Sequence, residues 1–132
     1  MAEILIFLDD REAWSAPRDE LARSFLAAVA PDGPAPTPAP VSGASDLRDV
    51  GWTYPGAVGE VEVWLARGGW GVSVDGSTRE ALRVALWFRG LVPDDVAVRL
   101  TDDGYSFDRE LAPGEVLDDL ERWYEDEVGE LF

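Results

Sequence analysis

Residues 60–75 constrain the fold of this chain more than any other stretch. Val63 and Leu65 alternate with Glu62 and Trp64, Gly68-Gly69 follows, and Val72 and Val74 then alternate with Gly71 and Ser73. A period of two with the apolar residues on one side marks a half-buried strand, and two glycines between such runs supply a tight hairpin turn. Closing the turn at Gly68-Gly69 sets Leu65 opposite Val72, Val63 opposite Val74 and Arg67 beside Trp70. The apolar partners then share one face, as a two-sided strand pair requires.

A second hairpin is predicted around Asp103-Gly104. Its two-residue turn pairs Leu100 with Phe107, Arg99 with Asp108 and Val96 with Leu111, leaving Val98 opposite Arg109 as the one poor match. Ile4–Leu8 is a continuous apolar run, read as a buried strand with both faces in need of cover. Leu47–Tyr54 is a further candidate strand.

Three helices are expected between and after these strands. The first has Ser15 as N-cap, Pro17 in its opening turn, Asp19 and Glu20 at the positive end of its dipole, and an apolar stripe of Leu21, Phe25, Leu26 and Val29. Ser77 and Glu80 form a capping box for the second, whose core stripe is Ala81, Val84, Ala85 and Phe88, with Gly90 as C-cap and Pro93 as the stop. The third starts near Pro113 and carries Val116, Leu117, Leu120, Tyr124, Val128 and Leu131 on its apolar side, with Trp123 at the margin. This helix, folding back, is the preferred cover for the second face of the first strand; a second subunit is the alternative.

The resulting fold class is α+β. An antiparallel sheet has a ferredoxin-like β-α-β-β-α-β core, extended by a β-hairpin and a C-terminal acidic helix. At 132 residues the chain reads as a single globular domain, 1–132. Residues 31–46 form a Pro-rich internal loop, since 31–40 alone holds five of the nine prolines; the segment is expected to be irregular and exposed.

Composition narrows the chemistry. His, Cys, Lys, Asn and Gln are absent, and all 11 cations are Arg, set against 15 Asp and 12 Glu for a net charge of −16. Thiolate zinc sites, cysteine nucleophiles, histidine bases, Schiff bases and Walker-type loops are thereby excluded. Ser15, Ser77 and Ser106 have no histidine or lysine to activate them. The pairs Asp94-Asp95 and Asp102-Asp103 read as turns rather than as catalytic or metal-binding carboxylates. Gly68-Gly69-Trp70-Gly71 lies between strands, unlike a phosphate-binding loop, which opens a helix. No catalytic residue, metal ligand or cofactor is assigned, and no apolar run approaches the length of a membrane span. Without a basic start, the Ile4–Leu8 run does not make a signal peptide, so the expected location is cytoplasmic.

The charge is uneven. Residues 102–132 hold 12 acids against two Arg. Glu115, Asp118, Asp119, Glu125 and Asp126 fall on the side of the third helix away from its apolar stripe. Those near its end oppose the helix dipole and repel one another, at some tenths of a kcal/mol each. Trp52 and Trp64 are the candidate surface anchors, because Trp concentrates at binding hot spots. Together these seven residues form the expected partner-binding set. The function they imply is that of a small acidic binding protein which docks onto a basic protein surface, as an immunity protein or antitoxin covers a toxin or nuclease. A nucleic-acid mimic and a carboxylate- or metal-dependent enzyme are the alternatives. Nucleic acid and membrane are excluded as partners by charge and hydropathy, and the chain is expected to be a monomer or homodimer.

Overall fold

In the computed structural model, which describes residues 3–29, 37–38, 48–56, 58–104 and 106–131, the apolar run Ile4–Leu8 is strand β1. Its residues Ile4, Ile6 and Leu8 are buried while Leu5 and Phe7 are half-buried. The other strands are β2 (Thr37–Pro38), β3 (Val50–Pro55), β4 (Glu60–Leu65), β5 (Gly71–Asp75), β6 (Val98–Asp102) and β7 (Asp108–Leu111). They form one antiparallel sheet in the order β2-β3-β4-β5-β1-β6-β7. Helices α1 (Arg18–Val29), α2 (Thr78–Leu91) and α3 (Leu117–Glu127) complete the α+β fold. No helix of the described residues is long and apolar enough to cross a membrane.

One face of the sheet makes the core. Val63 pairs with Val74 and Leu65 with Val72, and Ile4 and Ile6 continue these rows across β1 to Leu100 on β6. Trp52 and Tyr54 extend the same face through β3. Leu21 and Phe25 of α1, the Ala81–Phe88 stripe of α2 and Leu120 of α3 pack on it. Aromatic contacts tie the layers together: Phe25 stacks on Trp52 at 4.9 Å and meets Trp87 edge-on at 5.3 Å. The Trp87 indole N–H also donates to Ser24 Oγ at 3.0 Å, linking α2 to α1.

The first hairpin has the expected register, with a wider turn. Its ladder closes with the Ala66 N–H on the Gly71 carbonyl, and the Gly69 N–H bonds back to the Ala66 carbonyl. Four residues, 67–70, therefore lie outside the ladder. Gly68 and Gly69 take φ of 84° and 76°, the left-handed region that side chains resist.

The second hairpin is slipped by two residues. Val98 faces Leu111, Leu100 faces Arg109 and Thr101 faces Asp108. A slip of two preserves which face each residue points to, so the apolar pattern cannot distinguish the registers. A buried carboxylate decides between them. Asp102 accepts from the Ser106 N–H at 2.7 Å and from the Ser106 hydroxyl, and Thr101 Oγ1 donates to the Phe107 carbonyl at 2.7 Å. These bonds hold a loop longer than a two-residue turn. Arg99 still reaches Asp108, at 2.8 Å, diagonally from two pairs further along.

The helices differ from expectation at their ends. Pro17, not Ser15, precedes the first turn of α1, its carbonyl accepting from the Glu20 and Leu21 N–H groups. Ser77 caps α2 as predicted, accepting from the Glu80 N–H at 3.3 Å. Gly90 does not end that helix, which runs to Leu91 with Val92 as C-cap. Gly90 does not take the positive φ of a glycine cap, and the Val92 N–H closes the last turn on the Phe88 carbonyl, while the Arg89 guanidinium bonds the carbonyls beyond it. Helix α3 begins at Leu117 rather than near Pro113, and Val116 is 53% exposed instead of joining the core. It packs beside α2 on the core face, so it does not cover the second face of β1. Most of 31–46 lies outside the described residues. Within it, Thr37 and Pro38 are not irregular but pair with Thr53 and Trp52 at the sheet edge, where a proline is tolerated.

One buried hydroxyl makes alkaline stability testable. Tyr54 Oη has no hydrogen-bond partner among the described residues. Burial, reinforced by Glu80 and opposed by Arg83, pushes its phenol well above the usual tyrosine range. The folded chain thus keeps Tyr54 protonated where the unfolded chain ionises it. Its contribution to stability is complete below about pH 10 and is lost as pH rises through the folded pKa. In Tyr54→Phe that alkaline decline is expected to shrink, with neutral-pH stability unchanged or raised by up to about 1 kcal/mol. Urea unfolding of both chains at neutral and alkaline pH checks this, and an equal decline in the variant would refute it.

Candidate functional site

The expected partner-binding residues divide sharply in space. Asp118, Asp119, Glu125 and Asp126 are exposed on the outer side of α3. Glu115 is not with them. Its side chain is only 6% exposed, paired with Arg109 and accepting from the Ala112 N–H at 3.1 Å. Arg109 in turn lies 4.7 Å from the Trp123 ring, and Trp123 and Tyr124 close on Phe107 at 5.5 and 5.8 Å. Glu115 therefore belongs to the device that docks α3 onto the β6–β7 hairpin. Asp119 is within 3.8 Å of Arg122, and Glu121 pairs with Arg79 of α2 at 3.2 Å. Glu125, Asp126, Glu127 and Glu130 have no ion pair among the described residues. The last turn of α3 holds no basic residue.

Neither tryptophan is the surface anchor expected. Trp52 is 5% exposed and stacked on Phe25 in the core. Its alternation within Val50–Pro55 placed it on the helix-covered face, a distinction the single short segment did not reveal. Trp64 does point to the opposite face, yet it is 4% exposed. Its indole lies flat over Gly51, donates to Glu62 Oε1 and sits 5.2 Å beneath the Arg48 guanidinium. Gly51 is required there, because a Cβ would come within 2.5 Å of Trp64 Cε3 and 2.7 Å of the Val63 carbonyl oxygen. Gly51→Ala is expected to cost about 1–3 kcal/mol by overpacking. Denaturant unfolding measures it, and a change near zero would show that the ring is free to lift.

The same face carries a feature no sequence pattern pointed to. A concavity of about 520 Å³ runs along it, with a floor of Gly71, Ser73 and Ala66 and a wall of Leu5 and Phe7. Small residues on the outward side of β5, flanked by large ones on β1, carve the trough. Registers fix its ends: Phe7 pairs with Gly71, Leu5 with Ser73, and the Asp103 N–H bonds the Glu3 carbonyl. Arg11 lies beyond the Phe7 end of β1 and stacks on Trp70 at 3.7 Å. Arg48 borders the trough from the β4 side, its guanidinium over Trp64 and 3.9 Å from Glu62, while Glu3 and Asp103 line the end away from Arg11. Ser73 Oγ is buried against this floor without a hydrogen-bond partner among the described residues.

Among the described residues no group of three or more His, Cys, Asp or Glu is placed to hold a metal ion. Comparison with protein-family models, with curated proteins and with solved structures finds no match.

Proposed function

We propose that this chain is a small acidic cytoplasmic binding protein which docks onto a basic protein surface, in the manner of an inhibitor that covers the cationic site of a toxin or nuclease. The reading rests on one observation: α3 presents the exposed carboxylates of Asp118, Glu125, Asp126 and Glu127, none of which has an ion pair among the described residues. Eight of the 11 Arg are engaged in ion pairs, and Arg89 is spent on carbonyls, so the acid excess stays in solvent. Glu125, Asp126 and Glu127 sit where the helix dipole disfavours them, so the helix bears a small penalty to present them. Such a field raises the association rate with a cationic surface, and contacts made afterwards set the lifetime.

The accompanying fold reading is a ferredoxin-like core of β1-α1-β4-β5-α2-β6. It is supported by β1 lying between β5 and β6, with β3 and β7 as additions outside that core. Nothing in this reading calls on a cofactor or on catalysis.

The test compares two baits in a host extract, the natural chain and Glu125→Lys/Asp126→Lys. A basic protein held by the first at low salt, released at high salt and lost from the second supports the reading. Equal retention by both baits removes α3 from the interface.

A further inference from the structure

The open face of the sheet is a second, independent place to bind something, and its chemistry differs from that of α3. We infer that the trough over β5 is a binding site for a small, flat, apolar carboxylic acid, held as its carboxylate by Arg11 beside Trp70, with Arg48 as a second cation along the β4 side.

Three observations converge on that class. The floor and wall are apolar or small, namely Leu5, Phe7, Ala66 and Gly71, and the volume suits a ligand of one or two rings. Ser73, which lines the floor, has a buried hydroxyl with no hydrogen-bond partner among the described residues, an arrangement that costs free energy unless a ligand or solvent completes it. Arg11 has no carboxylate partner among the described residues; its guanidinium lies over the Trp70 ring, a contact that uses the face of the group and not the N–H donors in its plane, which suit a planar anion. Arg48 adds a second cation on the β4 side of the trough, over Trp64 and held only loosely at 3.9 Å from Glu62.

The trough also shows what it would reject. Glu3 and Asp103 at the far end repel a second negative group and orient a monoanion with its charge toward Arg11. Two arginines in a chain of net charge −16 do not suit a polyphosphate or a nucleic acid, whose affinity scales with the phosphates neutralised. A basic peptide would meet both guanidiniums. An apolar monocarboxylate satisfies the walls, the hydroxyl and the charge at once.

Calorimetric titration with indole-3-acetate, its neutral amide and inorganic phosphate reads this directly. The acid is expected to bind saturably with one site per chain, and the amide to bind about tenfold more weakly or less, since a charge-assisted hydrogen bond is worth that much. Phosphate is expected not to compete. Arg11→Ala and Arg48→Ala should each weaken the acid about tenfold, while Arg23→Ala, an exposed arginine on α1, should not. Ser73→Leu, which fills the floor, should abolish binding; Ser73→Ala should only weaken it, and far-ultraviolet circular dichroism confirms that each variant is folded. Equal affinity for acid and amide, competition by phosphate, an equal loss in Arg23→Ala, or no saturable binding of the acid would each overturn the assignment. None of these outcomes bears on α3, so this site and the acidic face stand or fall separately.

Discussion

Arg89→Met is expected to be the most destabilising single substitution away from the hydrophobic core, at about 3–5 kcal/mol. Arg89 is 4% exposed, and among the described residues no carboxylate partners it. Its guanidinium instead donates to the carbonyls of Pro93 at 2.6 Å, Val96 at 2.8 Å, Val92 at 3.2 Å and Leu111 at 3.4 Å. One side chain thus completes the exit of α2, the turn that follows it and the end of β7. Carbonyls at a helix C-terminus favour a cation, which accounts for a guanidinium being buried there at all. Methionine keeps much of the volume but removes all four bonds; the Pro93 carbonyl retains the Val96 N–H at 3.0 Å, while the buried carbonyls of Val92 and Leu111 lose the guanidinium. Arg89→Lys should recover only part of the loss, because an ammonium lacks the planar fork that reaches both sides of the turn. Urea denaturation of the three chains measures the series. A Met variant within about 1 kcal/mol of the natural chain would show that the carbonyls find other partners.

The second large effect is expected at Phe25→Ala, again about 3–5 kcal/mol. The ring is fully buried between α1 and the sheet. It stacks on Trp52 and meets Tyr54 at 6.3 Å and Trp87 at 5.3 Å. Removing it leaves a cavity walled by three rigid rings that cannot collapse into it, so little of the loss is recovered by relaxation. Near-ultraviolet circular dichroism should change with it, since Trp52 and Trp87 lose their fixed neighbour. This variant also separates two roles for Trp52. If Trp52 were a surface anchor, losing Phe25 would leave its environment largely unaltered. An intact aromatic signal would contradict its place in the core.

What could be read from the sequence follows from what sequence patterns encode. Alternation and helical spacing report which face a residue occupies, and those assignments hold at Val63, Val74, Ala85, Phe88 and Leu120. Helix entry at Ser77 was legible because the cap is a local bond between residues three apart. Three features were not legible, each because it is decided by a side-chain partner that apolar spacing does not encode. The β6–β7 register turns on the Asp102 carboxylate gripping Ser106. The exit of α2 past Gly90 is completed by Arg89, which reaches Leu111 on another strand. Glu115 has the helix-wheel position of a surface acid, but Arg109 draws it inward. The trough was invisible for a related reason, because Gly71 and Ser73 read as ordinary strand residues until Phe7 and Leu5 stand beside them. At the candidate interface, sequence reasoning located the exposed acids of α3 and misplaced the aromatic anchors.

The central claim is that the acids at the end of α3 steer a basic partner. It is tested most directly by the association rate of Glu125→Lys/Asp126→Lys with the purified partner at two ionic strengths. Neither side chain supports the fold, and exchanging them for cations relieves an unfavourable dipole interaction, so stability should hold or rise by about 0.5–1 kcal/mol. The on-rate at low salt should fall by about tenfold or more, and its dependence on salt should flatten, with the dissociation rate changing much less. An unchanged on-rate with the same salt dependence would contradict the claim and leave the acidic surface of α3 as a solubilising one.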